Sequence, residues 1–270
     1  MPTLDHPRTV LVTGGARRLG REFCLAFARA GWNVACHYQH SEGEALHTCE
    51  AVRALGREAH AVPGDLGQPD SIAALFANVV AALGATPDAI VNNASVFEPD
   101  SGDDFSPALL QQQMQVNLAA PLQLGSLLAG AQPARPSTVP LVLHVLDQKV
   151  FNLNPDYFSY TLSKLALERA VALQAQALAP RVRVCGLAPG LIYMSGPQTD
   201  ENFQRASRVN LLQSATDPAD VARTAVFLAE NPSITGITIT VDKGQHLVPL
   251  ARDVMFVAEQ LGQAAKPGTP

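Results

Sequence analysis

Short apolar runs alternate with longer amphipathic segments through most of this 270-residue chain. A short apolar run is typical of a strand buried on both faces, and a longer amphipathic segment indicates a helix with one face against a core. Regular alternation of the two builds βαβ units, so we predict an α/β fold: a doubly wound parallel sheet with helices on both faces. The predicted strands are residues 9–12, 33–37, 58–63, 89–92, 141–146, 182–187 and 237–241, and the predicted helices are residues 19–30, 42–55, 70–83, 107–131, 157–179 and 218–229.

The alternation continues without an internal domain boundary. The proline-rich segment 130–140 lies between a predicted helix and a predicted strand, so it is interpreted as a loop within one domain. We predict a single nucleotide-binding domain over residues 1–250, including a substrate loop at 192–210, and a C-terminal extension over 251–270. The end of that extension, 264–270, is small, polar and proline-rich, which predicts disorder.

Composition and charge exclude several classes of protein. The formal net charge of -5 argues against nucleic acid or an anionic membrane surface as the main partner. No apolar stretch approaches the ~20 residues of a membrane helix, and residues 1–15 lack the pattern of a signal peptide. The four cysteines form no CxxC pair and indicate reduced thiols in a cytoplasmic protein. No Cys, Asp or Glu falls at ligand spacing around His37 and His40, so no metal site is predicted.

A glycine-rich turn joins the first predicted strand to the first predicted helix. Gly14, Gly15 and Gly20 permit a tight turn whose backbone N–H groups can face a pyrophosphate. Arg21 and Glu22 follow Gly20, which excludes the phosphate loop G-x-x-x-x-G-K-[ST], and position 17 is not the glycine that G-x-G-x-x-G requires. The turn alone is therefore compatible with a dinucleotide site or with a plain tight connection.

The end of the second predicted strand favours a phosphorylated dinucleotide. A protein that binds NAD usually places an acid there for the ribose hydroxyls, but no acid occurs from Cys36 to Ser41. Arg17, His40 and Ser41 instead offer donors for an additional phosphate, which predicts NADPH as the cofactor. The alternative is that Arg17 and its neighbour Arg18 are solvated surface charges.

Tyr160 and Lys164 lie four residues apart on a predicted amphipathic helix, so both side chains project from one face. A tyrosine has an unperturbed pKa of ~10, and a nearby lysine cation is expected to lower it. The pair would then serve as a proton donor near neutral pH, and the lysine could also bind ribose hydroxyls. The alternative is an ordinary tyrosine and lysine on a helix surface.

Several motifs occur along the chain in a recognisable order. They are "TGGARRLG", the pair Asp65 and Leu66, "NNAS" ending at Ser95, Asn117, "YTLSK", "APG" ending at Gly190, and "TGITITVDKG". In order and spacing they resemble the short-chain dehydrogenase/reductase family over residues 9–247. The resemblance implies a seven-stranded Rossmann fold and a homotetramer.

The resemblance also implies roles for individual residues. Tyr160, Lys164 and Asn117 would be catalytic, and Asp65 and Leu66 would contact the adenine. The residues expected to bind the cofactor are Gly14, Arg17, Arg18, Leu19, Gly20, His37, Tyr38, His40, Ser41, Asp65, Leu66, Asn93, Ala94, Ser95, Tyr160, Lys164, Pro189, Gly190 and Leu191.

Two departures from the family pattern point to one branch. Arg18 stands where the family usually has glycine, and Asp147, at the end of a buried strand, stands where it has a catalytic serine. With "HYQHS", "NNASVF" and an aspartate thirteen residues before the tyrosine, the chain resembles the pteridine reductases, including the bacterial members that reduce dihydromonapterin and dihydrofolate. Lys243 also departs from the family's usual glycine, and no role is predicted for it.

The branch implies NADPH-dependent reduction of ring C=N bonds in a pterin. Asp147 would orient the Tyr160 phenol or pass it a proton, and Phe97 would cover the pterin ring. The residues expected to contact substrate are Arg18, Ser95, Phe97, Asp147 and Tyr160. Asp147 could instead cap the loop "NLNPDYFS" at residues 152–159, and Phe97 could belong to the core. Two other functions stay open: reduction of another cyclic imine, carbonyl or quinone, and nucleotide binding without catalysis.

Overall fold

The computed structural model describes residues 7–135, 138–196 and 198–258, and these ranges contain a seven-stranded parallel sheet. The strand order is β3-β2-β1-β4-β5-β6-β7. This topology confirms the predicted fold class. The strands are β1 Thr9–Val12, β2 Asn33–Tyr38, β3 Ala59–Pro63, β4 Ala89–Asn92, β5 Leu141–Val145, β6 Arg183–Pro189 and β7 Thr238–Val241.

Helices cover both faces of the sheet. They are α1 Arg18–Arg29, α2 Glu42–Ala54, α3 Ser71–Leu83, α4 Pro107–Met114, α5 Ala120–Gly130, α6 Phe158–Leu178, α7 Asp200–Ala206 and α8 Pro218–Glu230. The single helix predicted for 107–131 is divided by a π-helical turn, Gln115–Ala119. The helix α7 was not predicted because it is one short segment inside the predicted substrate loop. Within the described ranges, no helix is long and apolar enough to cross a membrane.

The apolar runs of the central strands form the middle layer of the core. Every residue of β1 and β5 is buried, as expected for parallel strands covered on both faces. Phe23 and Phe27 of α1 pack on one face of the sheet, and Leu75 of α3 and Leu124 of α5 pack on the other. The strand order reverses between β1 and β4, and in sheets of this kind ligands bind at the carboxyl ends of the strands beside that reversal.

The described part of the C-terminal extension, residues 251–258, packs back onto the domain. Met255 joins a buried aromatic cluster with Tyr157 and Tyr160, and Ala258 packs near Ala206 of α7. The Asn202 side chain donates a hydrogen bond to the Met255 carbonyl at 2.9 Å. The segment 264–270, for which the sequence predicts disorder, lies outside the described residues.

Candidate active site

A cavity of about 1200 Å³ runs along the carboxyl edge of the sheet. Of the residues predicted to bind cofactor or substrate or to take part in catalysis, all line this cavity except Asn117. The structure therefore brings the predicted residues together, while their individual roles stay predictions. In the described part of the chain, no group of three or more His, Cys, Asp and Glu side chains is arranged to hold a metal ion.

The glycine-rich turn lies in contact with the loop after β4. Gly14 has a φ of +61°, and a Cβ placed on it would lie 3.1 Å from the Cα of Ala94. A Cβ on Gly20 would lie 1.9 Å from the Gly14 carbonyl oxygen, so a side chain there would displace the turn. Asn93 Nδ2 donates to the carbonyls of Thr13 at 3.0 Å and Gly14 at 3.2 Å. Both glycines are therefore required for close packing, which leaves backbone at the start of α1 facing the cavity.

Arg18 and Lys243 both adopt a left-handed backbone conformation, with φ values of +52° and +55°. Glycine adopts this conformation without a steric penalty, which explains its use at these positions elsewhere in the family. The Arg18 guanidinium donates to the Met194 carbonyl at 2.6 Å and lies 5.1 Å from the Tyr193 ring centre, so it contacts the predicted substrate loop. Lys243 Nζ donates to the Ser214 hydroxyl at 2.8 Å, which gives this lysine a structural contact.

His37 holds the glycine-rich turn through hydrogen bonds at both ring nitrogens. Its Nδ1 accepts a hydrogen bond from the Gly14 N–H at 3.1 Å, and its Nε2 donates to the Gly64 carbonyl at 3.2 Å. Burial lowers the pKa of His37 to about 4, so the ring is neutral at physiological pH. Both ring nitrogens are thus occupied by protein groups. Arg17 and His40, by contrast, have exposed side chains at the same end of the cavity.

Tyr160 and Asp147 meet where β5 ends. The Tyr160 hydroxyl donates a hydrogen bond to Asp147 Oδ2 at 3.0 Å. Asp147 Oδ1 accepts from the Lys149 backbone N–H at 2.9 Å, which caps the 3₁₀ turn Gln148–Val150. The carboxylate therefore caps this short turn and not the loop 152–159 that the alternative named, and it contacts the tyrosine as well.

The pKa predicted for Tyr160 was wrong in direction. Burial raises the pKa of Tyr160 well above its ordinary value, and the charge of Asp147 raises it further. Lys164 does not offset this increase, because its Nζ donates to the Val145 carbonyl at 2.8 Å and lies 5.7 Å from the Tyr160 ring centre. Burial also lowers the pKa of Lys164 to about 8 and raises that of Asp147. The phenol is therefore protonated and able to donate.

Asn117 lies behind the cavity, on the π-helical turn. Its Oδ1 accepts from the Val96 N–H at 2.8 Å and from the Ser95 hydroxyl at 3.1 Å. Its Nδ2 donates to the Val96 carbonyl and to Ser163 Oγ, each at 3.0 Å. These contacts tie the loop after β4 to α6, so in this structure Asn117 positions Ser95. Its predicted catalytic role stays a prediction.

Phe97 belongs to an aromatic cluster and also lines the cavity. Its ring stacks on Tyr157 with centroids 4.2 Å apart and meets Tyr160 edge-on at 4.6 Å. Phe97 therefore packs in a cluster and also borders the cavity, and its contact with substrate stays a prediction. An aromatic face beside the donor tyrosine suits a flat ring.

Two charged residues at the site were missed by the sequence analysis. Lys149 and Asp253 both line the cavity, and Lys149 Nζ donates to Asp253 Oδ2 at 2.8 Å. Lys149 could have been noticed from its position two residues after Asp147. Asp253 has no local motif, and it is 104 residues from Lys149 in the chain, so only tertiary folding brings it to the site.

Comparisons with known proteins agree with this architecture. The family model described as enoyl-(acyl carrier protein) reductase matches residues 14–246. The uncharacterized oxidoreductase MT0954 of Mycobacterium tuberculosis is 32% identical over 252 residues, which cover 88% of this chain and 91% of that protein. FolM alternative dihydrofolate reductase 1 from Brucella canis, complexed with NADP, is 38% identical with a TM-score of 0.84, covering 89% of this chain and 94% of that one. The angucycline C-6 ketoreductase LanV with bound NADP is 28% identical with a TM-score of 0.81, covering 89% and 96%. The chain therefore belongs to the short-chain dehydrogenase/reductase family.

Proposed function

We propose that this protein is an NADPH-dependent reductase of ring C=N bonds in pterins, taking dihydropteridines such as dihydromonapterin or dihydrofolate to their tetrahydro forms. The observation that carries the proposal is the hydrogen bond from the Tyr160 hydroxyl to Asp147 Oδ2 at the end of β5. An aspartate replaces the usual serine of the family there, and the likeness to the Brucella FolM enzyme supports the same substrate class. A homotetramer in the cytoplasm remains part of the hypothesis.

The residues at the open end of the cavity fit a phosphorylated dinucleotide. Bare backbone at Gly14 and Gly20 leaves room for a pyrophosphate at the start of α1. Arg17, His40 and Ser41 would hold the 2′-phosphate, and the NADP bound to the FolM and LanV structures supports this choice. The further contacts would be Asp65 and Leu66 to the adenine, Lys164 to the ribose, and Asn93, Pro189 and Gly190 beside the nicotinamide.

Reduction of a C=N bond adds a hydride to carbon and a proton to nitrogen. NADPH supplies the hydride when it is bound. Tyr160, which burial keeps protonated, would donate its hydroxyl proton to the ring nitrogen. Asp147, which accepts the Tyr160 hydroxyl, would then take up a proton from water and pass it to the phenolate across the hydrogen bond that joins them. The raised pKa of this carboxyl group favours that uptake.

The aromatic cluster suits a flat bicyclic substrate. Phe97 lines the cavity next to Tyr160, so a pterin lying on its ring would present an edge to the phenol. Offset aromatic stacking adds about 0.5–1.5 kcal/mol beyond the burial of area. Ser95 and Arg18 also line the cavity and would form hydrogen bonds with polar atoms of the substrate.

A second candidate is the reduction of a ketone or of another cyclic imine. The likeness to the ketoreductase LanV over 89% of this chain favours it, because a buried, protonated Tyr160 can also donate to a carbonyl oxygen. A nucleotide-binding protein without catalysis is disfavoured by the retained Tyr160, Asp147 and Lys164 at one cavity.

The decisive experiment follows absorbance at 340 nm with purified protein, first with NADPH and then with NADH. The substrates are dihydrobiopterin, dihydromonapterin and dihydrofolate, with an aromatic ketone as comparison and Tyr160→Phe as the inactive control. Oxidation of NADPH with a pterin, lost in Tyr160→Phe, supports the proposal. Turnover of the ketone alone favours the second candidate, and NADPH binding without turnover of any of these compounds refutes pterin reduction.

A further inference from the structure

The C-terminal segment 251–258 brings an additional carboxylate to the cavity. Asp253 lines the cavity beside Val254, and its Oδ1 accepts from the Met255 N–H at 3.1 Å. Its Oδ2 accepts from Lys149 Nζ at 2.8 Å, so both carboxylate oxygens are bonded within the protein. This placement brings a second acidic side chain to the region of Asp147.

Lys149 is almost completely buried, with 3% of its side chain exposed. Its backbone N–H donates to Asp147 Oδ1, and its Nζ donates to Asn154 Oδ1 and Asp253 Oδ2, both at 2.8 Å. The ammonium also lies 5.5 Å from the Tyr157 ring centre. One residue therefore orients the carboxylate of Asp147 through its backbone and neutralises Asp253 through its side chain.

An ion pair of this kind is not needed merely to attach the segment. Arg252 already makes three hydrogen bonds of 2.7 to 2.9 Å to the Asp156 carboxylate, and the Asp253 N–H donates to the same carboxylate at 2.6 Å. Burying a lysine carries a desolvation cost that its partner only partly offsets. The burial of Lys149 therefore points to a role beyond attachment.

The charged and titratable groups that face Asp147 come from three elements. Lys149 follows β5, Tyr160 and Lys164 are on α6, and Asp253 is on the C-terminal segment. The charge of Lys149 lowers the pKa of Asp147, and the charge of Asp253 raises it. Asp253 also raises the pKa of Tyr160. The two charges thus shift the pKa of Asp147 in opposite directions.

We propose that Lys149 and Asp253 form a positioning pair whose opposite charges balance the field at Asp147 and join the C-terminal segment to the catalytic site. The pair does not touch the reacting atoms; it sets the pH range in which Asp147 can return a proton to Tyr160. The catalytic part of this inference rests on the proposed function, because it uses Asp147 as the proton source.

The test measures the titration of Asp147 directly, by 13C NMR of protein labelled at the aspartate carboxyl carbon, with Asp147→Asn identifying the signal. In Asp253→Asn the cation of Lys149 is uncompensated, so the midpoint should fall by about one pH unit. In Lys149→Met the anion of Asp253 is uncompensated, so the midpoint should rise by a similar amount. The double variant, which carries neither charge, should titrate close to the original protein.

A matched control separates charge from loosening of the segment. Arg252→Gln removes the exposed attachment to Asp156 but leaves the buried pair, so the Asp147 midpoint should stay unchanged. General loosening would admit water and move the midpoint down in both single variants. Downward shifts in both, no shift in either, or an equal shift in Arg252→Gln would overturn the proposal. If Lys149→Met does not fold, Lys149→Gln and the conservative Asp253→Asn carry the same comparison.

The titration does not depend on turnover, so it distinguishes this inference from the proposed function. Where pterins are reduced, the pH profile of kcat should shift with the NMR midpoint in each variant. Opposite shifts of the NMR midpoint without pterin turnover would support the charge pair and contradict pterin reduction as the function. Pterin turnover with an unshifted midpoint would support the proposed function and contradict the charge pair.

Discussion

The two ends of the cavity are built in different ways. At the proposed catalytic end, Tyr160, Asp147 and Lys149 are bonded to partners within the protein, and Asp253 is brought there from the C-terminal segment. At the proposed phosphate end, Arg17 is exposed, and its side chain makes no hydrogen bond or ion pair within the described residues. Preorganised donors accelerate chemistry, whereas exposed charges bind and select a ligand. Substitutions at the two ends should therefore affect turnover and cofactor choice separately.

The largest effect is expected for Tyr160→Phe. The substitution removes the atom proposed to donate a proton to the substrate, while the ring still packs against Phe97. General acid catalysis contributes about 10²- to 10⁴-fold, so kcat should fall within that range. NADPH binding, measured by fluorescence of the reduced nicotinamide, should change little. Retained turnover would remove Tyr160 as the donor and contradict the contrast between the two ends.

A smaller loss of pterin turnover is expected for Asp147→Ser, on the order of ten- to a hundredfold in kcat. The serine cannot supply a proton at neutral pH, although it restores the family's usual residue. Asp147→Asn is the matched variant, because its amide oxygen can still accept the Tyr160 hydroxyl. If proton return is the function of Asp147, both variants should be slow; activity in the asparagine variant would show that orientation alone suffices.

At the other end, Arg17→Glu should reduce the preference for NADPH over NADH by roughly tenfold, because an acid would face the proposed 2′-phosphate. The ratio of kcat/KM for the two cofactors measures this change. Arg29→Glu is the matched control, since Arg29 is an exposed residue near the far end of α1. Rising salt should diminish the effect, since exposed charges are screened. An equal change in both variants would exclude a specific phosphate site at Arg17.

The smallest effect is expected on the free energy of unfolding, through the buried residue His37 beside the glycine-rich turn. The unfolded histidine takes up a proton near pH 6.5, whereas burial lowers the pKa of His37 to about 4. The free energy of unfolding therefore holds the full contribution of neutral His37 above about pH 6.5. This contribution is lost as the pH falls toward 4, by at most about 1.4 kcal/mol per pH unit. Urea unfolding across this range should show a shallower pH dependence in His37→Gln. An identical slope in both proteins would contradict the proposed state of this histidine.

Prediction succeeded where local pattern and chemistry coincide. The strands β1, β4 and β5 are buried at every residue and mostly apolar, and Gly14 and Gly20 lie in a turn where a Cβ would meet the neighbouring backbone. Helix ends were predicted within one or two residues. The π-helical turn at Gln115–Ala119 was missed, because helical periodicity continues across it and the extra residue is held by the contacts of Asn117.

Prediction failed where the result depends on orientation or on distant residues. The spacing of Tyr160 and Lys164 placed both on one helix face. In the structure, however, Lys164 Nζ donates to the Val145 carbonyl. The pKa of Tyr160 is therefore determined by burial and by Asp147. The sequence allowed two interpretations of Phe97, a core residue or a residue in contact with substrate. In the folded protein, one face of a small aromatic cluster serves as the cavity wall.

The sequence by itself determined the α/β fold, the family and the set of residues along the carboxyl edge of the sheet. These properties follow from hydrophobic periodicity and from motifs in which the interacting residues are close in the chain. Tertiary structure alone decided which partner Lys164 bonds, that Asn117 lies behind the cavity, and that Asp253 reaches Lys149 across 104 residues. Charge and proton affinity at a buried site depend on distances and desolvation, and a linear pattern specifies neither.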